Sequence, residues 1–230
     1  MSPHAVIILV DSRSMKNNYL VIHRNDRNAE PNPYEWAIKY RQPVSIAVTL
    51  ICVFLLFLTP HSWPEKSILK PIMDGLGYVL IVVAAFGRIW STLYISGYKE
   101  DRVVIEGPYA IIRNPLYAFS FLGAMGMGLV TNNLLILSTL LFTFLLYYRL
   151  VVLAEEKNLQ EKLGQAYFEY TSRVPRFIPR TFRLVEPDTY PVRPRHVRRS
   201  LQQIMWFFWI LLILYGIEYI HQAGQSTTFS

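Results

Sequence analysis

The sequence contains little cysteine, little charge and no grouping of metal-ligating side chains. Its single cysteine, Cys52, lies inside an apolar run, so the chain can form no intrachain disulfide. Charged residues make up 17% of the 230 positions, below the ~25% typical of soluble domains, which disfavours a soluble enzyme. The histidines are scattered along the chain, and no metal site is predicted: His4, His23, His61, His196 and His221.

No secretory signal peptide is expected at the N-terminus. The apolar run AVIILV (5–10) is too short for one and is followed by polar sequence. The sequence does not decide whether Met1 or Met15 is the start of the chain. We expect residues 1–42 to form a cytoplasmic N-terminal segment and residues 221–230 to form a short tail.

Long uncharged runs dominate the rest of the chain, in which 52% of all residues are hydrophobic. A bilayer span needs about 20 mostly apolar residues. The runs predict an all-α integral membrane protein with a single domain over 43–220 and five transmembrane helices, at about 43–59, 72–96, 116–130, 134–153 and 203–220. The third span is short, and we expect it to form a tight hairpin with the fourth through TNN (131–133).

Lys and Arg residues predict the orientation in the membrane. The segments outside the spans form two alternating sets, one with 19 Lys and Arg residues and the other with 2. The richer set consists of the N-terminus, the 97–115 loop and residues 154–202. The positive-inside rule places these segments in the cytoplasm and the C-terminus outside. The net charge of +7 is therefore mainly a topology signal that also suits anionic lipid. No nucleic acid is expected as a partner, because no DNA- or RNA-binding motif accompanies the charge.

The stretch EGPYAIIRNPLYAFS (106–120) predicts a turn followed by a helix start. Asn114 is a favoured N-cap and Pro115 suits the first helical position. The free N–H groups of such a start favour a carboxylate or phosphate. A well-capped interfacial helix with tyrosine anchors would have the same sequence, so the stretch alone leaves both interpretations open.

The fourth helix is predicted to continue past the membrane, since no Pro or Gly interrupts residues 134–163 and Gly164 is a suitable C-cap. Glu155 and Glu156 lie where it leaves the lipid, and carboxylates there need a cation unless they form a solvated face. At ~100° per residue, Arg149 shares a face with Glu156. It is expected either to neutralise that glutamate or to hold a substrate anion.

The residues after Gly164 mix tyrosine, arginine and proline. This composition suits either an interfacial cap over a pocket mouth or plain anchoring in the headgroup region. The residues concerned are Tyr167, Tyr170, Arg173 and Arg176, followed by the two prolines of VPRFIPR (174–180).

Three of these pieces occur in order within a core motif region of about 90–180. They are GPYAIIRNPLY (107–117), EEKNLQEKLGQAYFEY (155–170) and RVPRFIP (173–179). They resemble the membrane methyltransferase family that includes isoprenylcysteine carboxyl methyltransferase and the phospholipid N-methyltransferases. The additional C-terminal span, 203–220, lies outside the resemblance.

The resemblance implies a cytoplasmic pocket for S-adenosylmethionine and methyl transfer to a lipid-like or prenylated acceptor in the membrane. Glu156 and Arg149 are then the candidate catalytic residues, acting on the acceptor. The candidate cofactor-binding residues, carried over by position, are Arg102, Val103, Val104, Tyr109, Asn114, Pro115, Leu116, Tyr117 and Glu155. The oligomeric state is not predicted.

Two departures from the family pattern bear on the substrate. Asn114 stands where the family has His, and it cannot titrate near neutral pH. Val151 stands where the prenylcysteine enzymes have the Arg that meets the substrate carboxylate, which disfavours prenylcysteine unless Arg149 substitutes. The methylated group is left open as a carboxylate, an amine or a hydroxyl.

Two other functions share part of the pattern. Membrane sterol reductases that use NADPH have a similar R-H-P-N-Y turn, but this chain has Leu116 in place of their Asn and keeps the Glu pair. A non-enzymatic lipid-binding or assembly protein would retain the fold without turnover. Binding of S-adenosylmethionine, NADPH or neither distinguishes the three.

Overall fold

A computed structural model describes residues 32–59, 62, 64, 67–98, 102–182, 184–205, 208, 209, 212 and 216. Within these residues the regular structure is helical and no strand occurs, which confirms the all-α prediction. The helices are α1 (Glu35–Lys39), α2 (Arg41–Leu58), α3 (Leu69–Ile95), α4 (Pro108–Ile111), α5 (Pro115–Val130), α6 (Leu134–Phe142), α7 (Arg149–Leu163) and α8 (Gln165–Arg173). Residues 194–205 are also helical.

Three helical stretches are long and apolar enough to cross a membrane: α2, α3 and the run Leu134–Leu163. Helix α5 is also apolar but has only 16 residues, as expected for the short third span. The fifth predicted span, 203–220, lies mostly outside the described residues. The chain is therefore an integral membrane protein by the length and apolar composition of its helices, and the count of five spans stays a prediction.

Helices α3 and α5 pack closely because glycines face each other between them. A Cβ atom at Gly77 would lie 2.8 Å from the carbonyl oxygen of Gly126, and one at Gly126 would lie 2.6 Å from the carbonyl oxygen of Gly77. Small residues let membrane helices approach to backbone contact. This contact fixes the two helices whose ends carry the loop of residues 102–114.

The turn at 131–133 forms the predicted hairpin between α5 and α6. Asn133 caps α6 by accepting hydrogen bonds from the backbone N–H groups of Leu135 and Ile136. Asn132 adopts φ 50°, a conformation that asparagine tolerates better than most residues, and its side chain donates to Asp74 at 2.8 Å. The hairpin is thus held by side-chain bonds at both asparagines.

The fourth helix runs from Leu134 to Leu163, as predicted, and contains a π-helical segment at Thr143–Tyr148. π-Helical turns within α-helices are frequent at functional sites. Gly164 ends the helix with φ 54° and ψ −127°, a combination that favours glycine because it has no Cβ. The glycine is also the N-cap of α8, whose Tyr170 donates to the carbonyl oxygen of Tyr109.

The loops gather at two opposite ends of the bundle. At one end, Asn32 donates to the carbonyl oxygen of Ala154 at 2.9 Å, and Gly107 donates to that of Val185 at 2.8 Å. At the other end, Thr59 and Ser62 form hydrogen bonds with the 131–133 turn. The described parts of the Lys- and Arg-rich segments therefore share one end, which we call the basic end. Which side of the membrane it faces stays a prediction.

Candidate functional site

Glu155 is bonded to an arginine from the first spanning helix. The Nη1 atom of Arg41 donates to Glu155 Oε1 at 2.7 Å and also lies 2.8 Å from the hydroxyl oxygen of Tyr117. This network joins α2, α5 and α7 at the basic end. The cation that a carboxylate at this position needs is thus supplied by another helix, not by the helix face of Glu155 itself.

Aromatic rings extend this network into the bundle. The rings of Tyr117 and Tyr148 lie 6.0 Å apart, and Tyr148 stacks on Phe144 at 4.4 Å with an interplanar angle of 10°. The hydroxyl of Tyr148 shares a hydrogen bond with Ser45 at 2.8 Å. Tyr148 is the last residue of the π-helical segment, so this irregular turn contributes one of the aromatic rings of the network around Glu155.

Glu156, unlike Glu155, is buried among donors. Arg176 donates to it from Nη2 at 2.7 Å and from Nε at 3.1 Å, and Asn114 Nδ2 donates to Oε1 at 2.6 Å. The guanidinium of Arg113 forms a looser ion pair at 3.5 Å. The hydrogen bonds that Arg176 donates to Glu156 raise the pKa of Arg176. Glu156 therefore ties the 107–117 turn to the segment that follows α8.

Arg149 does not pair with Glu156, which was one of the two roles that the sequence left open for it. Arg149 is exposed, and it makes no hydrogen bond or ion pair with another described residue. The two residues share a helix face but lie seven positions, or about 10 Å, apart. Nearer donors satisfy Glu156 instead. Their assignment as catalytic residues remains a prediction.

Asn114 occupies the N-cap position of α5, and Pro115 is the first helical residue, as predicted. The side chain makes no capping hydrogen bond, so that part of the expectation is wrong. The amide instead donates to Glu156. Bonds to an ionised acceptor are roughly twice as strong as neutral ones, which favours this partner. The first N–H groups of α5 are consequently not capped by Asn114.

Tyr109 is buried in the turn before α5. Its hydroxyl has no hydrogen-bond partner among the described residues, whereas its carbonyl accepts a bond from Tyr170 at 2.8 Å. Burial raises the pKa of Tyr109, so the phenol stays neutral. The turn requires glycine at 107, where φ is 56° and a Cβ would lie 2.6 Å from the ring of Tyr94.

The remaining predicted cofactor residues divide between two clusters. Val104 packs with Tyr94 and Tyr109, whereas Val103 packs on the cluster of Leu163, Tyr167 and Tyr170. The guanidinium of the buried Arg102 stacks on Tyr98 and pairs with Glu106 at 3.2 Å. Leu116 is half-buried.

The predicted site residues thus fall into three groups. Tyr117 bonds to the same arginine as Glu155, whereas Tyr109 packs with Val104 in the turn before α5. Asn114 joins Glu156, while Arg102 has its partners on the other side of the turn. Burial also raises the pKa values of Tyr167 and Tyr170 beside Glu156.

The sequence interpretation missed Arg41, Tyr148, Arg113 and the bonding of Arg176 to Glu156. Arg41 was counted only as part of a charge asymmetry, although a cation at the very start of an apolar helix was an available signal. Within the described residues, no group of three or more His, Cys, Asp and Glu side chains is placed to hold a metal ion.

Similarity to known proteins covers most of the chain. Residues 74–166 match the sequence model of the phospholipid methyltransferase family. The cobalt-zinc-cadmium resistance protein CzcN of Cupriavidus metallidurans is 31% identical over 179 residues, which cover 78% of this chain and 82% of that protein. The nickel-cobalt-cadmium resistance protein NccN of Alcaligenes xylosoxydans xylosoxydans is 28% identical over 201 residues, 87% of this chain and 94% of that protein.

A named methyltransferase is also similar, over a shorter region. The protein-S-isoprenylcysteine O-methyltransferase of Schizosaccharomyces pombe is 31% identical over 96 residues, 40% of each chain. The region that matches the family model includes the first motif, 107–117, and most of the second, 155–170. The chain belongs to the family of integral membrane proteins that includes the isoprenylcysteine carboxyl methyltransferases and the phospholipid methyltransferases.

Proposed function

We propose that the protein binds S-adenosylmethionine at the basic end and transfers its methyl group to a lipid-like acceptor in the membrane. The observation that carries this proposal is the network of Glu155, Arg41 and Tyr117, which places a half-exposed carboxylate beside aromatic rings at the end of the family-matched region. Membership of a methyltransferase family supports the reaction class.

Glu155 is the proposed ligand of the ammonium of the methionine moiety. A carboxylate offers about four acceptor positions, so it can hold Arg41 and an ammonium together. Its side chain is 34% exposed, which leaves it accessible, whereas that of Glu156 is 10% exposed and already bonded to its neighbours. The geometry therefore favours Glu155 over Glu156 as the cofactor residue.

The carboxylate of the same moiety is proposed to meet the start of α5. The N–H groups of the first helical turn carry a partial positive charge and bind carboxylates readily. The side chain of Asn114 leaves them uncapped because it bonds to Glu156. Asn114, Pro115 and Leu116 would then act mainly through their backbone, and residues 102–104 would approach the cofactor from the other side of the turn.

The proposed chemistry needs alignment more than acid–base catalysis. When bound, the cofactor supplies an activated methyl group on a sulfonium. The rings of Tyr117 and Tyr148 would offer electron-rich faces to the sulfonium and would exclude water from its surroundings. The buried turn around Tyr109 would hold the reacting groups in line.

The acceptor is proposed to enter from the bilayer. Val151, which stands where the prenylcysteine enzymes of the family have Arg, is fully buried, so this position offers the acceptor neither a charge nor an exposed surface. Arg149 is exposed and remains the proposed alternative on that helix. The placement of Val151 argues against prenylcysteine as the substrate unless Arg149 takes over the role of the missing arginine.

Titration calorimetry on the purified protein in detergent tests the cofactor. We expect S-adenosylmethionine to bind and NADPH not to bind. Membranes that contain the protein should also transfer tritium from the labelled methyl group into the lipid extract. NADPH binding alone would support a reductase, and binding of neither ligand would support a non-enzymatic lipid-binding or assembly protein.

We propose further that the basic end faces the cytoplasm and that the C-terminus lies outside. The Lys and Arg asymmetry between alternate segments supports this orientation. A reporter fused after Ser230 should be active only on the periplasmic or lumenal side. Cytoplasmic activity of that fusion would mean that the number of spans is not five.

A further inference from the structure

Arg41 has an unused edge beside Glu155, the proposed ligand of the cofactor ammonium. Its Nη1 atom donates to Glu155 Oε1 at 2.7 Å and to the hydroxyl of Tyr117 at 2.8 Å. Its Nε and Nη2 atoms donate to no described residue. These two atoms form the side of a guanidinium that holds both oxygens of a carboxylate in parallel hydrogen bonds. The side chain is 41% exposed, so a ligand can reach the guanidinium.

The guanidinium is held in place by the segment that leads to it. Residues 32–41, which we call the N-terminal strap, lie along the fourth spanning helix. Asn32 donates to the carbonyl oxygen of Ala154 at 2.9 Å, and the hydroxyl of Tyr147 donates to that of Ala37 at 2.7 Å. A group that is fixed before its ligand arrives loses less conformational freedom on binding. The strap therefore presents a preorganised cation at its end.

The ion pair of Arg41 and Glu155 matches the charges at the methionine end of S-adenosylmethionine. That end carries an ammonium and a carboxylate on the same carbon atom. An ammonium bound to Glu155 alone would also lie near the guanidinium and be repelled by it. A carboxylate on the unused guanidinium edge places each charge of the ligand beside an opposite charge of the protein. The ion pair therefore favours a ligand with both groups over a ligand with the amine alone.

We propose that Arg41 binds the carboxylate of the methionine moiety while Glu155 binds its ammonium. This inference rests on the proposed methyltransferase function, and it adds a binding residue from outside residues 74–166, which match the family model. The start of α5 donates N–H groups to the same carboxylate, which offers about four acceptor positions. Tyr117, the third residue of α5, links the two through its hydrogen bond with Arg41.

The test compares two ligands that differ only in the carboxylate. S-Adenosylhomocysteine, the demethylated product, carries both charged groups, and its decarboxylated analogue carries the ammonium alone. Titration calorimetry on the purified protein in a neutral detergent measures both affinities. We expect the wild-type protein to bind S-adenosylhomocysteine roughly tenfold to a hundredfold more tightly than the analogue, the scale of charge-assisted hydrogen bonds.

Variants distinguish a ligand of the carboxylate from a residue that only stabilises the site. Arg41→Gln should weaken binding of S-adenosylhomocysteine by roughly tenfold to a hundredfold. It should leave the analogue bound as before or more tightly, because the repulsion of its ammonium is removed. Arg41→Lys keeps the charge without the two-atom edge and should give an intermediate affinity for S-adenosylhomocysteine. Lys39→Gln removes an exposed cation two residues earlier in the strap, and this control should bind both ligands like the wild-type protein.

Equal affinities of the wild-type protein for the two ligands would overturn the proposal, even if Arg41→Gln did not fold. Equal losses for both ligands in folded Arg41→Gln would also overturn it, because Arg41 would then only hold the site together. Unchanged binding of S-adenosylhomocysteine in that variant would reject the role of Arg41 alone. If the wild-type protein bound neither S-adenosylmethionine nor S-adenosylhomocysteine, the proposed function would fail and this inference would fail with it.

Discussion

Arg41 and Glu155 form an ion pair of 2.7 Å between the start of α2 and the fourth spanning helix. Arg41 lies before residues 74–166, which match the family model. The first spanning helix, α2, therefore adds a cation beside Glu155, the proposed ligand of the cofactor. The ammonium of the cofactor must then share Glu155 with a guanidinium. Cofactor binding should therefore depend on whether the Glu155 carboxylate accepts hydrogen bonds from both cations at once.

Asn114 provides the first prediction. The side chain donates to Glu156 at 2.6 Å, so Asn114→Asp would replace a donor by a second carboxylate. We expect it to lower the free energy of unfolding by roughly 1–3 kcal/mol, the cost of a lost bond to a buried charge. Asn114→His keeps a donor and should be tolerated. Denaturation in mixed micelles measures both variants, and equal stability of the two would contradict this role.

Glu156 is predicted to act mainly on stability. Glu156→Gln would leave the cations of Arg113 and Arg176 without their carboxylate, and breaking a buried pair typically costs about 3–5 kcal/mol. We expect a loss of about 3 kcal/mol, because Arg176 is partly exposed to water. Glu161→Gln is the matched control on the same helix.

Glu161 forms only a partly exposed pair with Lys157 at 3.7 Å, so its substitution should change stability by less than about 1 kcal/mol. If Glu156→Gln were as stable as Glu161→Gln, the bonds around Glu156 would not hold the turn in place. In that case Glu156→Gln would stay folded, and the predicted role of Glu156 in methylation of the acceptor could be measured directly.

Gly164 and Gly75 provide a matched pair for backbone conformation. A Cβ would meet nothing within 4 Å at either position, but Gly164 has φ 54° whereas Gly75 lies in helix α3. Gly164→Ala should cost about 1–3 kcal/mol through backbone strain. Gly75→Ala should be neutral or stabilise by up to about 1 kcal/mol, the helix-propensity difference. The difference between their unfolding free energies is the measurement, and a difference near zero would contradict the strained conformation.

The helical architecture was predictable because membrane spans depend on local composition. The start of α5 at Asn114–Pro115, the turn at 131–133 and the end at Gly164 all followed from residues with strong conformational preferences. The π-helical segment at Thr143–Tyr148 was not predicted, because nothing in TFLLYY distinguishes it from an ordinary apolar helix.

The partners of the two glutamates were less predictable because they depend on packing between distant segments. Helical periodicity correctly placed Arg149 and Glu156 on one face, but it could not show that Arg113 and Arg176 reach Glu156 first. Motif comparison likewise did not include Arg41, which lies outside the motifs. The sequence identified the helix that carries the two glutamates, and the contacts between helices had to come from the structure.

The most direct measurement is titration of S-adenosylmethionine into the wild-type protein, Glu155→Gln and Glu161→Gln. Glu155→Gln keeps the shape of the side chain and removes its charge, so affinity should fall by roughly tenfold to a hundredfold. Glu161→Gln makes the same charge change two turns further along α7 and should bind like the wild-type protein. Unchanged affinity in folded Glu155→Gln would contradict the central claim that this carboxylate holds the cofactor.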